Sequence, residues 1–194
     1  MKKHPGKIFV ISGPSGSGKT TLVKAVLGDT LLKGKMARSV SFTTRPPRSG
    51  EKDTRDYFFI SEQEFKKKLR EKKILEWTNY LGYYYGTPQD FVEKQLRKSR
   101  GMIFCIDFKG TMRIRRIFPR DTVTIFILPS SIEELSKRIH KRCSKTKEEE
   151  IQKRLRLAER EVALSKKYDY RLVNEDLDKT IGELKGIILQ ELSN

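Results

Sequence analysis

The sequence predicts an α/β fold: a parallel core sheet with helices on both faces, three layers in all, carrying a small mixed insertion and a helical lid. Three observations predict it. Apolar, β-rich runs recur at Ile8 to Ile11, Met102 to Ile106, Thr122 to Leu128 and Tyr170 to Val173, with helix-like segments between most of them. Such alternation belongs to parallel strands covered by helices. The octapeptide Gly13-Pro14-Ser15-Gly16-Ser17-Gly18-Lys19-Thr20 follows the first run directly. Between Phe42 and about Tyr85 the pattern changes, from strand–helix alternation to turn chemistry and short aromatic runs.

The octapeptide matches the phosphate-binding loop pattern G-x-x-x-x-G-K-[ST] in full. A buried strand delivers the chain, and Gly13, Gly16 and Gly18 let the backbone wrap around phosphate oxygens with its N–H groups turned inward. Pro14, Ser15 and Ser17 complete the loop. Lys19 reaches the terminal phosphates, Thr20 offers a hydroxyl to Mg²⁺, and the helix from Thr20 to about Leu27, with Thr21 in its first turn, adds a dipole favourable to anions. An accidental Gly/Ser turn would not need the strand before it and the helix after it. The fold is therefore expected to be of the P-loop NTPase kind.

Next comes the insertion. Arg45-Pro46-Pro47-Arg48-Ser49-Gly50 reads as a turn, and the runs Tyr57 to Ile60, Ile74 to Tyr80 and Tyr83 to Tyr85 surround one amphipathic helix that includes Glu64 to Arg70. Beyond it, helices are expected at Ile132 to Lys141 with Ser130 or Ser131 as N-cap, from about Glu148 to Lys166, and from Leu177 to Leu192. The polar patch Arg142 to Lys147 between two charged helices has the character of a lid. No repeat or low-complexity tract interrupts the chain.

At 194 residues the chain fits one such domain, able to bury about 70% of the surface its unfolded form exposes. No run approaches the roughly 18 apolar residues of a membrane span, and the start MKKHPG leads straight into the first strand. A cytoplasmic location is expected. Two cysteines, Cys105 and Cys143, cannot build a disulfide framework or a four-ligand zinc site, and both are expected to be reduced. The net charge of +17 attracts any polyanion, yet many lysines lie on helix-like faces such as Glu64 to Arg70, where solvation explains them. Specific nucleic-acid binding is not expected, because a triphosphate and its acceptor are anions too.

Further motifs carry a resemblance. Val40-Ser41-Phe42-Thr43-Thr44-Arg45-Pro46-Pro47-Arg48-Ser49-Gly50-Glu51 with Asp56-Tyr57, Glu76-Trp77 with Tyr84-Tyr85-Gly86-Thr87-Pro88, Ile106-Asp107, the helix with Arg138 and Arg142, Arg154-Leu155, and Val173-Asn174-Glu175-Asp176 together resemble the guanylate kinases over nearly the whole chain. The resemblance implies a core of 1–41, 88–141 and 167–194, a GMP-binding insertion at 42–87 and a lid at about 142–166. It implies ATP and GMP as substrates, Mg²⁺ as cofactor, and a monomer or homodimer.

The site assignments come from the same source. Arg45 and Arg48 resemble the clamp for the GMP phosphate, since guanidinium forks suit a dianion; a solvated turn is the plainer account of them. Tyr57 and Tyr85 match positions that add phenolic donors, where aromatic packing is the alternative, and Glu51 matches the residue that holds the arginine loop. Guanine presents N1–H and the N2 amino group as neighbouring donors, so its pocket wants acceptors only; Glu76 and Asp107 fill that role. Ser41 and Thr87 match positions that complete the base contacts. Arg142, Arg154 and Arg138 match lid positions over the transferring phosphoryl, and Asn174 a residue near the adenine of ATP.

Two departures stand out. The family reads Asp-Ile-Asp-x-Gln-Gly where this chain has Cys105-Ile106-Asp107-Phe108-Lys109-Gly110, so a carboxylate that supports the metal's hydration shell is replaced by a thiol. The lid reads Arg142-Cys143-Ser144-Lys145-Thr146-Lys147, one residue longer than usual, with closure expected to be retuned and Cys143 oxidisable if exposed. The leading expectation is a GMP kinase. The rivals are a catalytically dead phosphopeptide-binding module of the same fold, which would have no reason to keep Lys19 and Thr20, a kinase for another phosphorylated small molecule such as a ribose phosphate, and a P-loop protein acting on nucleic acid.

Overall fold

The computed structural model describes residues 6–98, 101–142 and 148–193, the side chains of 142 and 150 excepted. The expected lid segment 143–147, with Cys143, and the first five residues lie outside the described residues. In chain order the elements are β1 (Lys7–Ser12), α1 (Lys19–Gly28), β2 (Met36–Arg38), β3 (Phe42–Thr43), β4 (Phe58–Phe59), α2 (Glu62–Arg70), β5 (Ile74–Tyr80), β6 (Tyr83–Pro88), α3 (Gln89–Leu96), β7 (Gly101–Cys105), α4 (Phe108–Ile117), β8 (Thr122–Pro129), α5 (Ile132–Arg142), α6 (Glu148–Leu164), a 3-10 turn (Ser165–Lys167), β9 (Tyr170–Asn174) and α7 (Leu177–Ser193). Five strands form the core sheet in the order β2-β7-β1-β8-β9, and four form a second, mixed sheet in the order β4-β3-β6-β5. The expected α/β architecture is what the chain adopts.

By its internal contacts the chain divides into two compact units, one of Gly34–Thr122 with the start of the chain through Ile8, the other of Phe9–Lys33 with Val123–Asn194. In the first, β2 runs parallel to β7, with Arg38 registered against Ile103. The mixed sheet is organised by the β5–β6 hairpin, whose turn residues Leu81 (φ 52°) and Gly82 (φ 85°) both take the left-handed backbone that a tight hairpin turn requires. Asn79 Oδ1 accepts the Gly82 N–H at 3.2 Å and closes the turn. Helix α2 starts on a Ser-x-x-Glu cap, Ser61 Oγ accepting the Glu64 N–H at 3.1 Å, and buries Phe65 completely against Tyr84 at a ring separation of 5.3 Å.

In the second unit, Phe9, Val10 and Ile11 continue β1 and, like Ile8 before them, are fully buried, as residues of a central parallel strand should be. Ser131, not Ser130, caps α5, its Oγ accepting the Glu134 N–H at 3.1 Å. Leu135 and Ile139 of α5 pack on Ile151, Leu155 and Ala158 of α6, which is the i, i+4 spacing of two helices sharing an apolar seam. Asp169, just before β9, accepts the backbone N–H and the hydroxyl of Thr124 on β8 at 2.9 and 2.7 Å. That pair fixes the register in which β9 adds to the sheet, Ile125 opposite Tyr170.

Candidate active site

In the unit that holds the phosphate-loop sequence, the chain leaves β1 into Gly13 (φ 145°), Gly16 (φ 94°) and Gly18 (φ 93°), conformations that L side chains rarely adopt. Space adds a second demand on the same glycines. A Cβ on Gly13 would sit 2.4 Å from the Ile127 carbonyl oxygen, and one on Gly18 would sit 2.2 Å from Asn174 Nδ2. Lys19 opens α1 and bends back over the loop, its Nζ donating to the carbonyls of Gly13 at 2.6 Å and Pro14 at 2.8 Å. Pro14 and Ser17 are buried, Ser15 is half-buried, and Thr20 and Thr21 are exposed on the first turn of α1. The Ser17 N–H is bonded back to Pro14 O at 3.1 Å.

Asn174, at the end of β9 and 5% exposed, donates from Nδ2 to the Ser17 carbonyl at 2.8 Å. It thus braces the loop from behind, a contact that no local pattern announces. Helix α5 braces Gly16, whose position lies against Leu135, Ile139 and the Cβ of Arg138. Arg138 itself is paired with Glu134 one turn earlier, Nε to Oε1 at 3.1 Å. Arg154 is half-buried on α6, and Arg142 is the last residue of α5, its side chain outside the described residues.

The other unit assembles two groups of the expected residues. In the first, Arg45 is 8% exposed and donates from Nε to the Tyr85 hydroxyl at 3.1 Å, from Nη1 to the Pro46 carbonyl at 2.7 Å, and from Nη2 to both oxygens of Glu51 at 2.9 Å. Burial alone would lower the arginine's pKa, but the Glu51 carboxylate and Tyr85 overcome it and the net direction is upward. The guanidinium is permanently charged. Glu51 also accepts the Arg48 backbone N–H at 2.8 Å, so one carboxylate ties both arginines' loop together. Arg48 is exposed. The Arg45 guanidinium lies 5.6 Å from the centre of the Tyr57 ring, which in turn meets the Tyr85 ring edge-on at 5.9 Å. Burial, reinforced by Tyr85 and opposed by the arginine charges, holds the Tyr57 phenol above its ordinary pKa.

The second group centres on Glu76, in β5 and 5% exposed. The Thr87 hydroxyl, on the adjacent strand β6 and fully buried, donates to Glu76 Oε1. Asp107 is the N-cap of α4 and accepts the Gly110 N–H through Oδ1 at 2.8 Å. Gly110 packs flat against the Glu76 carboxylate: a Cβ there would meet Oε2 at 2.6 Å. Burial, with the nearby Asp107 charge adding to it and the Thr87 hydrogen bond opposing, lifts the Glu76 pKa from 4.5 to about 7. Two nearby carboxylates, with a glycine rather than a side chain against Glu76, suit a neighbouring pair of N–H donors. Ser41 is half-buried and uses its carbonyl to accept the Phe58 N–H at 2.9 Å.

Sequence reasoning passed over two contributors. Gly110 was visible only as part of a motif, and its function as a flat wall for Glu76 depends on a contact between β5 and α4. Thr43, fully buried, accepts the Arg45 backbone N–H at 3.2 Å and so orients the clamp; a threonine two residues before the arginine was the available signal. Among the described residues no group of three or more His, Cys, Asp and Glu could hold a metal ion. The exposed Thr20 hydroxyl remains the candidate metal ligand, a hard oxygen of the type Mg²⁺ takes alongside phosphate and water.

Comparison with known proteins bears on the identity of this arrangement. The family model described as guanylate kinase matches residues 5–191. The chain is 43% identical over 189 residues to the guanylate kinase of Caldanaerobacter subterraneus subsp. tengcongensis, covering 97% of this chain and 89% of that protein. It is 41% identical over 191 residues to that of Desulfitobacterium hafniense, covering 98% and 93%. The crystal structure of guanylate kinase from Anaplasma phagocytophilum superposes with a TM-score of 0.78 at 30% identity, over 99% of this chain and 89% of that one. With a family match across nearly its whole length, full-length relatives above 40% identity and a solved structure of the same fold, the chain belongs to the guanylate kinase family.

Proposed function

We propose that this protein transfers the γ-phosphoryl group of ATP to GMP, and to dGMP, giving ADP and GDP. The observation that carries the reading is the buried Glu76 carboxylate, 5% exposed and held by Thr87 beside Asp107. A buried acceptor such as Glu76 is costly unless a ligand brings donors to it, and guanine brings N1–H and N2–H₂ where adenine cannot. A pocket that must hydrogen-bond its ligand rejects an isostere lacking the donors by a large factor. Arg45, Arg48, Tyr57 and Tyr85 take the GMP phosphate, Glu51 holds the clamp, and Ser41 and Thr87 border the base. Residues 42–87 are the GMP-binding insertion, residues 142–166 the lid, and 1–41, 88–141 and 167–194 the core.

Gly13 through Thr21 hold the ATP phosphates and Asn174 stands beside the adenine. Lys19, now bonded to two loop carbonyls, turns its ammonium to the phosphates. Thr20 would hold Mg²⁺, which supplies charge neutralisation across the phosphates. The GMP phosphate is itself a nucleophile, largely dianionic near neutral pH, so no general base is needed and catalysis is alignment plus neutralisation of charge. Arg138, Arg142 and Arg154 provide that neutralisation on the transferring group and exclude water from it. The cytoplasm, which supplies both nucleotides, is the compartment of the reaction.

A coupled assay of ADP formation with ATP, Mg²⁺ and each of GMP, dGMP, AMP, CMP and UMP tests the proposal. Turnover confined to the guanine nucleotides is expected. Absence of turnover with all five, together with measurable GMP binding, would overturn it in favour of a binding module.

A further inference from the structure

We propose that Arg38 is an additional phosphate-binding residue of the monophosphate site, a guanidinium beside the Arg45–Tyr57–Tyr85 clamp that exchanges a loose contact with Asp56 for an oxygen of the bound nucleotide's phosphate. The inference rests on the GMP reading above and assigns a residue that none of the family motifs includes.

Arg38 is the last residue of β2, and ligands of parallel α/β sheets bind beyond the carboxyl ends of the strands. Its side chain is only 22% exposed. Among the described residues its ionic partner is Asp56 at 3.9 Å, too long for a hydrogen bond. One oxygen of that carboxylate already accepts the Lys52 N–H at 3.0 Å. A largely buried guanidinium is costly unless its N–H groups are bonded, and a single distant carboxylate does not meet that need. The group is therefore built for a further oxyanion.

The surroundings say which oxyanion. Arg38 lies close enough to Tyr57 for its charge, with that of Arg45, to offset part of the rise that burial imposes on the phenol. Asp56, the carboxylate that Arg38 approaches, immediately precedes Tyr57 in the chain, and the Arg45 guanidinium lies 5.6 Å from the centre of the same tyrosine's ring. The Arg45 fork is already shared among Tyr85, Pro46 and Glu51, so a dianionic phosphate arriving at this clamp gains from another donor with fewer commitments. The sheet register adds an independent point. Arg38 is registered with Ile103, and Cys105 follows two residues on, on the same face of the sheet. A carboxylate at 105, which the family motif carries, would face Arg38 and compete for it. A thiol leaves its charge for substrate.

The test is binding of GMP and of guanosine, by calorimetry, to the full-length wild type and to Arg38→Gln, Arg38→Lys and Asp56→Asn. For Arg38→Gln a loss of roughly tenfold to a hundredfold in GMP affinity is expected, the range for one charge-assisted hydrogen bond, with guanosine affinity unchanged. Arg38→Lys keeps the charge but not the fork and should fall between. Asp56→Asn should bind GMP as well as the wild type or more tightly, because it releases Arg38. If Arg38→Gln does not fold, Arg38→Lys decides: weaker GMP binding with guanosine affinity unchanged is expected, and a loss of GMP affinity in Asp56→Asn would count against the assignment. Unchanged GMP affinity in both arginine variants, or equal losses for GMP and guanosine, would overturn the assignment. A wild type that binds GMP through Arg38 but does not phosphorylate it would leave this assignment standing and remove the proposed reaction instead.

Discussion

Glu76 carries the strongest consequence at the scale of single residues. Its pKa is raised from 4.5 to about 7 by burial, so between those values the folded protein holds a proton that the unfolded chain has released. Stability from this source is full at the acid end and is lost as pH climbs through about 7, a loss on the order of 3 kcal/mol. Guanine needs the ionised form. Guanosine affinity should therefore rise by roughly tenfold between pH 6 and pH 8, whereas Glu76→Gln should bind weakly and without that slope. Guanosine isolates the carboxylate from the phosphate's own titration, and a flat wild-type profile would refute the assignment. How legible such residues are depends on what surrounds them. The glycines of the phosphate loop were readable because backbone geometry alone demands them, and φ values of 93° to 145° meet the demand. Glu76 was readable only through the Tyr-Tyr-Gly-Thr-Pro that follows it, since a glutamate in a strand is ordinarily exposed. Gly110 was not readable, because its partner is 34 positions away in sequence and the reason for it is the absence of a side chain.

Among elements, α4 shows one group serving two ends. Asp107 caps the helix by accepting the Gly110 N–H and also stands beside Glu76 as a candidate guanine acceptor. Asparagine caps as well as aspartate does, whereas alanine costs about 1 kcal/mol. Asp107→Asn should therefore leave the thermal midpoint nearly unchanged while raising the KM for GMP, its amide now opposing a donor with a donor. Asp107→Ala should lose both. A drop in melting temperature in Asp107→Asn equal to that of Asp107→Ala would show that the charge, not the cap, matters to the helix. The long elements α5, α6 and α7 were legible as helix-like segments, α5 also from its serine cap. Strand β2, only Met36–Arg38, was not, because three residues show no period. Its place in the sheet comes from pairing with β7, which sequence pattern cannot supply.

At the scale of the whole molecule the net charge of +17 is the dominant property. Both substrates are polyanions, so their encounter is steered by this field and weakened by salt. The KM values for GMP and ATP should rise several-fold between about 50 and 300 mM KCl with kcat little changed; KM values insensitive to salt would mean that the charge is spread over solvated faces without effect at the site. No described helix is long and apolar enough to cross a membrane. The bond from Asn174 to Ser17 spans 157 positions, and it has a consequence for biosynthesis. At translation rates of about 5–20 residues per second the phosphate loop emerges roughly 8–30 s before the residue that braces it. A nascent chain therefore carries the nucleotide motif well before the residue that braces it has been made.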